Sequence, residues 1–291
     1  MNIALKANIL HKNVRQELER CLGFLDARGV GVWISEELVK FLPDRQLPVI
    51  RSGQALPGEV SLVLALGGDG TVLAAARMAV GSRVPIFSVN LGNFGFLTTS
   101  SLEEFPEHFE RILEGDYEVE ERMMLSAEIV SRDGATRSFT ALNEIVLHKG
   151  SLARPILIDI KAGEDLVGVF PADGVIVSTP TGSTAYSLSA AGPILYPMMN
   201  AIAVTPICPH TLAVRPFVVP AEIPVTLSEQ SSHHDVLVTV DGQLSEPVRD
   251  EDKIRVTRSG DVTLLVKSFK GSFFSLLRSK LKWGERERNR R

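Results

Sequence analysis

Cysteine is nearly absent from this 291-residue chain: Cys21 and Cys208 are the only two, and they form no Cys-x-x-Cys pair. That excludes a disulfide framework and makes the cytoplasm the expected compartment. No apolar run reaches the roughly 18–20 residues that a membrane-spanning helix needs, so no membrane partner is expected. Met1 to Leu10 lacks a cationic start, a long apolar core and a small-residue cleavage site, the three parts of a secretory signal. A net charge of −4 argues against a broad nucleic-acid surface. The common catalytic signatures are missing as well. There is no Gly-x-x-x-x-Gly-Lys-Ser/Thr, no Gly-x-Gly-x-x-Gly, no His-Glu-x-x-His and no Gly-x-Ser-x-Gly. The six histidines form no zinc-spaced cluster, and His233-His234 reads as a polar loop pair, because neighbours on a strand point apart.

What remains is an ordinary globular composition, 44% hydrophobic and 23% charged, at a length that suits one large or two ordinary domains. The first hundred residues alternate strand and helix signals. Ile3 to Leu10 reads as a strand. His11 to Arg28 reads as a helix with Val14, Leu18, Cys21, Leu22 and Leu25 on one face, ended by Gly29. Val30 to Ile34, Val60 to Leu66 and Pro85 to Val89 read as further strands, and Thr71 to about Val80 as a helix. This rhythm predicts a parallel sheet with helices on both faces. Acidic side chains then crowd residues 103–121, with Arg111 as the lone cation, which reads as an exposed helix face and a linker.

After Arg122 the period becomes two. Leu125, Ala127 and Ile129 alternate with polar neighbours, as do Ile156, Ile158 and Ile160, then Val236, Val238 and Val240, then Val262, Leu264 and Val266. Asp133-Gly134 and Asp241-Gly242 are turn dipeptides between such runs. The expected architecture is therefore an α/β N-terminal domain with a parallel sheet plus a β-rich, antiparallel, sandwich-like C-terminal domain. Helical spacing returns from Gly271 to Leu281, through Phe273, Phe274, Leu277 and Leu281. The expected division is 1–118, with 268–291 packing back on it, and 119–267. The basic residues of the tail, from Lys280 to Arg291, read as a solvated terminus.

Two segments carry chemistry. In Leu66-Gly67-Gly68-Asp69-Gly70-Thr71 a buried strand runs through glycines into a helix. Glycines let a ligand approach the backbone, and a helix N-terminus offers free N–H groups and a positive dipole that suit phosphate. The carboxylate of Asp69 would repel phosphate unless it accepts a proton or orients a hydroxyl. The plain alternative is a strand–turn–helix with Asp69 as N-cap. The second segment, Asp173 to Pro193, packs seven Ser and Thr hydroxyls between Ser178 and Ser189. Small residues leave room for a flat ligand, and Tyr186 can stack on a base. The plain alternative is a Ser/Thr-rich helix start capped by Thr184. Asn143-Glu144 sits inside the apolar run Ala141 to Leu147, where polar side chains are costly to bury unless paired. Ribose hydroxyls would pair with them, and a hairpin edge is the bland alternative. Val240-Asp241-Gly242-Gln243 reads as a turn or a ligand contact.

These segments resemble the NAD kinase family. The likeness rests on Gly67 to Thr71, Leu91 to Leu97, Asn143-Glu144, Asp173 to Pro193, His210-Thr211-Leu212 with Arg215-Pro216, and Val240 to Gln243, in that order along the chain. The resemblance implies transfer of the γ-phosphate of ATP, or of another donor such as polyphosphate, to the adenosine-ribose 2′-hydroxyl of NAD. It implies a divalent metal, Mg²⁺, without assigning it protein ligands, and a homodimer or homotetramer built by the NAD-binding C-terminal domain. It makes Asp69 the proton acceptor. It places the phosphate turn at Gly67, Gly68, Gly70 and Thr71, and the NAD contacts at Asn143, Glu144, Arg154, Asp173, Thr184, Ala185, Tyr186, Ser187, Leu188, Ser189 and Gln243. Two positions depart from the family pattern. Phe94 stands between glycines where a smaller residue is usual, and Pro171 stands where some relatives carry arginine, which would leave a phosphate's countercharge to Arg154. Rival readings are a lipid or sugar kinase sharing the glycine turn and a non-catalytic NAD(P)-binding regulator.

Overall fold

Nearly continuous apolar runs separated by amphipathic helices build a parallel sheet at the start of the chain. The computed structural model describes residues 1–92, 95–150, 154–230, 235–249, 251–269 and 271–283. Phe94, His233, His234 and the tail arginines from Arg286 onward lie outside the described residues. The chain divides into two compact units, Met1–Glu120 together with the segment from Leu264 onward, and Glu121–Thr263.

The first unit contains β1 (Asn2–Ala7), α1 (Val14–Asp26), β2 (Gly31–Ser35), β3 (Val49–Ile50), β4 (Val60–Leu66), α2 (Asp69–Met78), β5 (Ile86–Asn90), β6 (Ser100–Ser101) and α3 (Phe105–Leu113). Its strands pair in parallel in the order β5-β4-β1-β2-β3. The chain thus lays β2 and β3 on one side of β1, then returns to lay β4 and β5 on the other. The carboxyl ends of β1 and β4, where Ala7 pairs with Leu66, form the switch point at which such sheets bind ligands. Gly67 follows there directly. The α1 face is as expected, with Val14, Leu18, Cys21, Leu22 and Leu25 all buried.

The element bounds differ by a few residues from the sequence expectation. β1 stops at Ala7 because Asn8 bonds Leu66 O through its N–H and then turns the chain through His11. α1 accordingly starts at Val14. α2 starts two residues early, at Asp69, and the residue in the N-cap position is Gly68. α3 buries Phe105, His108, Phe109 and Ile112 and leaves Glu107 in solvent.

The second unit is antiparallel. It contains β7 (Val119–Val130), β8 (Thr136–Ala141), β9 (Glu144–Lys149), β10 (Ile156–Ala162), β11 (Asp165–Ala172), β12 (Gly174–Ser178), α4 (Tyr186–Ser189), β13 (Ala201–Ile207), β14 (Phe217–Pro220), β15 (Val225–Glu229), β16 (Val236–Val240), β17 (Leu244–Val248) and β18 (Lys253–Val266), with β7 and β18 crossing the division in sequence. One sheet has the order β14-β13-β12-β9-β16-β17; β11, β10, β15 and β18 pair in another. The alternating residues Leu125, Ile129, Ile158, Ile160, Val236 and Val238 meet Val175, Val177, Ile202 and Val204 in one core cluster. The β18 phase is a correction. Val262 and Leu264 are half-buried, while Thr263, Leu265 and Val266 are buried, because Leu265 pairs in parallel with Ile86 in a sheet covered on both faces. In the final helix α5 (Phe273–Leu281), capped by Ser272, Leu277 is buried and Phe274 is exposed.

Candidate active site

In the first unit the glycine turn and the loop after β5 close around Asp69. Asp69 does not cap α2, which corrects the N-cap alternative. Its Oδ2 accepts the Phe96 N–H and its Oδ1 the Leu97 N–H, both at 2.9 Å. Gly95 lies against the carboxylate, where any Cβ would overlap it. Gly95 N–H in turn bonds Thr98 Oγ1 at 2.9 Å, and Thr98 Oγ1 accepts from Asn90 Nδ2 at 3.2 Å. Each carboxylate oxygen has two lone pairs, so both keep one for a further partner. Gly67 is buried against Thr71 Oγ1, whereas Gly70 is exposed at the first turn of α2. The α2 N-terminus has no side-chain cap, and its dipole favours an anion there.

In the second unit Asn143 and Glu144 stand at the start of β9, in the interior of a sheet with β12 on one side and β16 on the other. The hairpin-edge alternative is therefore corrected. Asn143 and Glu144 are only 6% and 5% exposed. Asn143 Oδ1 and Glu144 Oε2 are buried and have no hydrogen-bond partner, and neither has Ser178 Oγ opposite Glu144 on β12. Buried polar atoms without partners are rare because each costs about 1–3 kcal/mol. Two such oxygens side by side mark a place where a ligand's hydroxyls would complete the bonding.

Asp241 builds this place. It sits with Gly242 at the centre of a tight turn; both have positive φ (51° and 62°), and Gln243 N–H closes the turn on Val240 O at 2.9 Å. The buried carboxylate then accepts three successive backbone N–H groups, from Leu142 at 3.0 Å, Asn143 at 2.7 Å and Glu144 at 3.1 Å. Hydrogen bonds to a charged acceptor contribute about 1.5–3 kcal/mol each, enough to fix this backbone. From the other side Thr179 Oγ1 donates to Leu142 O at 2.6 Å, Thr179 N–H donates to Asn143 O, and Gly182 packs flat on Asn143. Burial and the neighbouring Asp241 charge push the Glu144 carboxyl up to about 8, opposed by a hydrogen bond from the Tyr186 N–H.

The Ser/Thr run divides its labour. Ser183 Oγ donates to Pro180 O at 2.6 Å, and Ser187 Oγ meets Thr205 Oγ1 at 2.9 Å, so both are occupied inside the unit. Thr184 caps nothing: it closes a short turn by donating to Thr181 O at 3.1 Å, and Ala185 precedes α4. Tyr186 is 45% exposed and presents its ring to solvent. Ala185 and Leu188 are half-buried, and Ser189 is exposed. Gln243 is exposed beside Asp241.

Asp173 and Arg154 stand apart from this group. Along β12, Ser178 pairs with Glu144 while Gly174 pairs with His148, so Asp173 lies beyond the opposite end, about 17 Å away at a strand's rise of about 3.3 Å per residue. There it forms an ion pair with Lys149 at 2.7 Å, a partner that sequence reasoning missed. Arg154 is exposed just before β10, whose Ile156 pairs with Ala172, which puts it at the same end. Asp241 was visible in the sequence as a turn residue; nothing in the sequence marks its three backbone partners. Among the described residues no group of three or more His, Cys, Asp or Glu side chains could hold a metal ion, and no helix is long and apolar enough to cross a membrane.

Comparison with known proteins agrees along the whole chain. Family models for the ATP-NAD kinase N-terminal and C-terminal domains match residues 7–117 and 142–268. A protein named NAD kinase from Geotalea daltonii is 44% identical over 275 residues, covering 90% of this chain and 96% of its own length. The crystal structure of yeast NADH kinase complexed with NADH superposes with a TM-score of 0.88 at 25% identity, covering all of this chain and 90% of that one. An NAD kinase from Archaeoglobus fulgidus in complex with ATP gives a TM-score of 0.74 at 26% identity, covering 97% of this chain and 99% of that one.

Proposed function

The chain belongs to the ATP-NAD kinase family, and we propose that it transfers the γ-phosphate of ATP to the 2′-hydroxyl of the adenosine ribose of NAD, giving NADP and ADP. The observation that carries the binding half is the pair of buried, unpartnered oxygens Asn143 Oδ1 and Glu144 Oε2, which suit ribose hydroxyls. The exposed ring of Tyr186 suits a base face, and Thr184 to Ser189 line the same segment. Arg154, Asp173 and Gln243 are further candidate contacts. Arg154 stands at the same end of β10 and β11 as Pro171 and can supply a countercharge.

In the first unit Gly67, Gly68, Gly70 and Thr71 lead into the uncapped α2 N-terminus, which suits the donor phosphates. Asp69 takes the proton of the attacking hydroxyl as the new O–P bond forms and the bond to ADP breaks. Phosphoryl transfer asks mainly for positioning and charge neutralisation, and the two N–H groups of Phe96 and Leu97 hold the Asp69 carboxylate in place. Among the described residues no group of three or more His, Cys, Asp or Glu side chains could hold a metal ion by itself; Mg²⁺ would arrive as the companion of the ATP phosphates.

A cytoplasmic homodimer or homotetramer, assembled through the second unit, completes the proposal; sedimentation showing a monomer would contradict the assembly. The reaction is tested by NADP formation from purified protein with NAD, Mg²⁺ and either ATP or polyphosphate, read by an NADP-specific dehydrogenase. Turnover names the donor. NAD binding without turnover on either donor would favour the non-catalytic reading instead.

A further inference from the structure

Two buried carboxyl groups, Asp241 and Glu144, share one small volume, and their bonding is unequal. Asp241 accepts three backbone N–H groups, an arrangement that suits a charged carboxylate. Glu144 receives one N–H, from Tyr186, and its Oε2 has none. The groups around Glu144 are Ser178 across from it on β12, Val240 beside Ile145 on β16, Asp241 in the turn after β16, and the Tyr186 N–H at the start of α4. Asp241 is the charged side chain acting on Glu144, and among the described residues no basic side chain offsets it. A second ionised carboxylate here would be buried, short of donors and beside a like charge.

We propose that the pair carries one negative charge, held on Asp241, and that Glu144 meets a ribose diol as a neutral acid, donating from Oε2 while the adjacent Asn143 Oδ1 accepts. The proton belongs on Oε2 because the other oxygen is the one left to take the Tyr186 N–H. A vicinal diol is complementary to this set: one hydroxyl donates to the amide oxygen and the other accepts from the acid. Asp241 is then a positioning residue twice over. It fixes the backbone of Leu142, Asn143 and Glu144, and its charge adds to burial in keeping Glu144 protonated. The proposal rests on the NAD reading of the site and adds to it the protonation state in which NAD is bound. The value of about 8 for Glu144 places the loss of the donor just above neutrality.

The test is calorimetric titration of the full chain with NAD from pH 6.5 to 9.5, for wild type, E144Q and D241N. Wild-type Kd should be flat below about pH 7 and rise about tenfold per pH unit above 8, as the binding form is lost. E144Q keeps a neutral donor; it should bind within a few-fold of wild type at pH 7 and show no alkaline rise. D241N removes the charge, so the rise should begin at lower pH. A flat wild-type profile overturns the proposal. So does an alkaline rise that persists in E144Q, or a loss of more than about tenfold in E144Q at pH 7. If D241N does not fold, wild type and E144Q decide by themselves. Failure of the wild type to bind NAD at any pH overturns the NAD reading instead, a result distinct from tight but pH-independent binding.

Discussion

Gly182 packs flat against the backbone of Asn143: a Cβ on it would overlap the Asn143 carbonyl oxygen and lie 2.8 Å from its Cα. The contact joins the Ser/Thr-rich segment to the strand start that carries the unpartnered oxygens. Gly182→Ala has to push Asn143 away or shift the Thr179 turn. Overpacking of this kind costs about 1–3 kcal/mol. Thermal unfolding should show a Tm lower by several degrees, and calorimetry should show weaker NAD binding. An alanine variant with wild-type Tm and wild-type affinity would mean that the contact is soft.

Asp69→Asn should lower kcat by about 10²–10⁴, the usual worth of a positioned base, with little loss of NAD affinity. The asparagine can accept one of the two N–H groups from Phe96 and Leu97 but confronts the other with its own amide donor, so the loop after β5 is disturbed as well. NAD binding measured beside kcat separates the two effects. Near-normal kcat would remove Asp69 from the proton-accepting role.

Asn143→Ala deletes one of the two unpartnered oxygens and leaves the Asp241 clamp on the backbone intact, because that clamp uses only main-chain N–H groups. NAD affinity should fall by about 1–3 kcal/mol, the cost of stranding buried ligand groups. Unchanged affinity by calorimetry would show that Asn143 does not meet the nucleotide.

Local pattern carried much of the fold. The α1 stripe from Val14 to Leu25 and the unbroken run Val60 to Leu66 emerge as a buried helix face and an interior parallel strand, and the period-two runs form the inner faces of an antiparallel unit. What sequence could not show is what backbone groups do at long range. Asp241 serves N–H groups almost a hundred positions away, and Asp69 serves those of Phe96 and Leu97. A main-chain donor leaves no side-chain signature, so Asp69 could be taken for a cap and Asp241 for a mere turn residue. Asn143-Glu144 looked like a possible edge because its strand neighbours, β12 and β16, come from distant segments. The proximity of Asn143, Glu144 and the Tyr186 N–H, and the distance of Asp173 along β12, are likewise consequences of register.

The two cysteines should differ sharply in reactivity. Cys21 is 1% exposed in the α1 core, and burial pushes its thiol up to about 12, so it stays protonated and shielded. Cys208 is exposed. A maleimide should label Cys208 within minutes in the native protein and Cys21 only on unfolding. Fast native labelling of Cys21 would show that α1 opens readily from the sheet.

The same burial that raises Glu144 has a consequence for stability that needs no ligand. Its ordinary value is 4.5, and in the folded chain it stands at about 8. The folded state therefore holds a proton that the unfolded chain releases above 4.5. The stability this contributes is complete below about pH 4.5 and is lost as pH rises through about 8. Glu144→Gln has no proton to lose and keeps a similar shape. Wild-type Tm should therefore decline relative to that of the glutamine variant between pH 5 and pH 8.5, with the difference levelling off above about pH 8. Both proteins share every other titrating group, so these cancel in the comparison. Tm profiles that run parallel across this range would mean that Glu144 is ionised in the fold at neutral pH, and Asp241 would then have a second charge beside it.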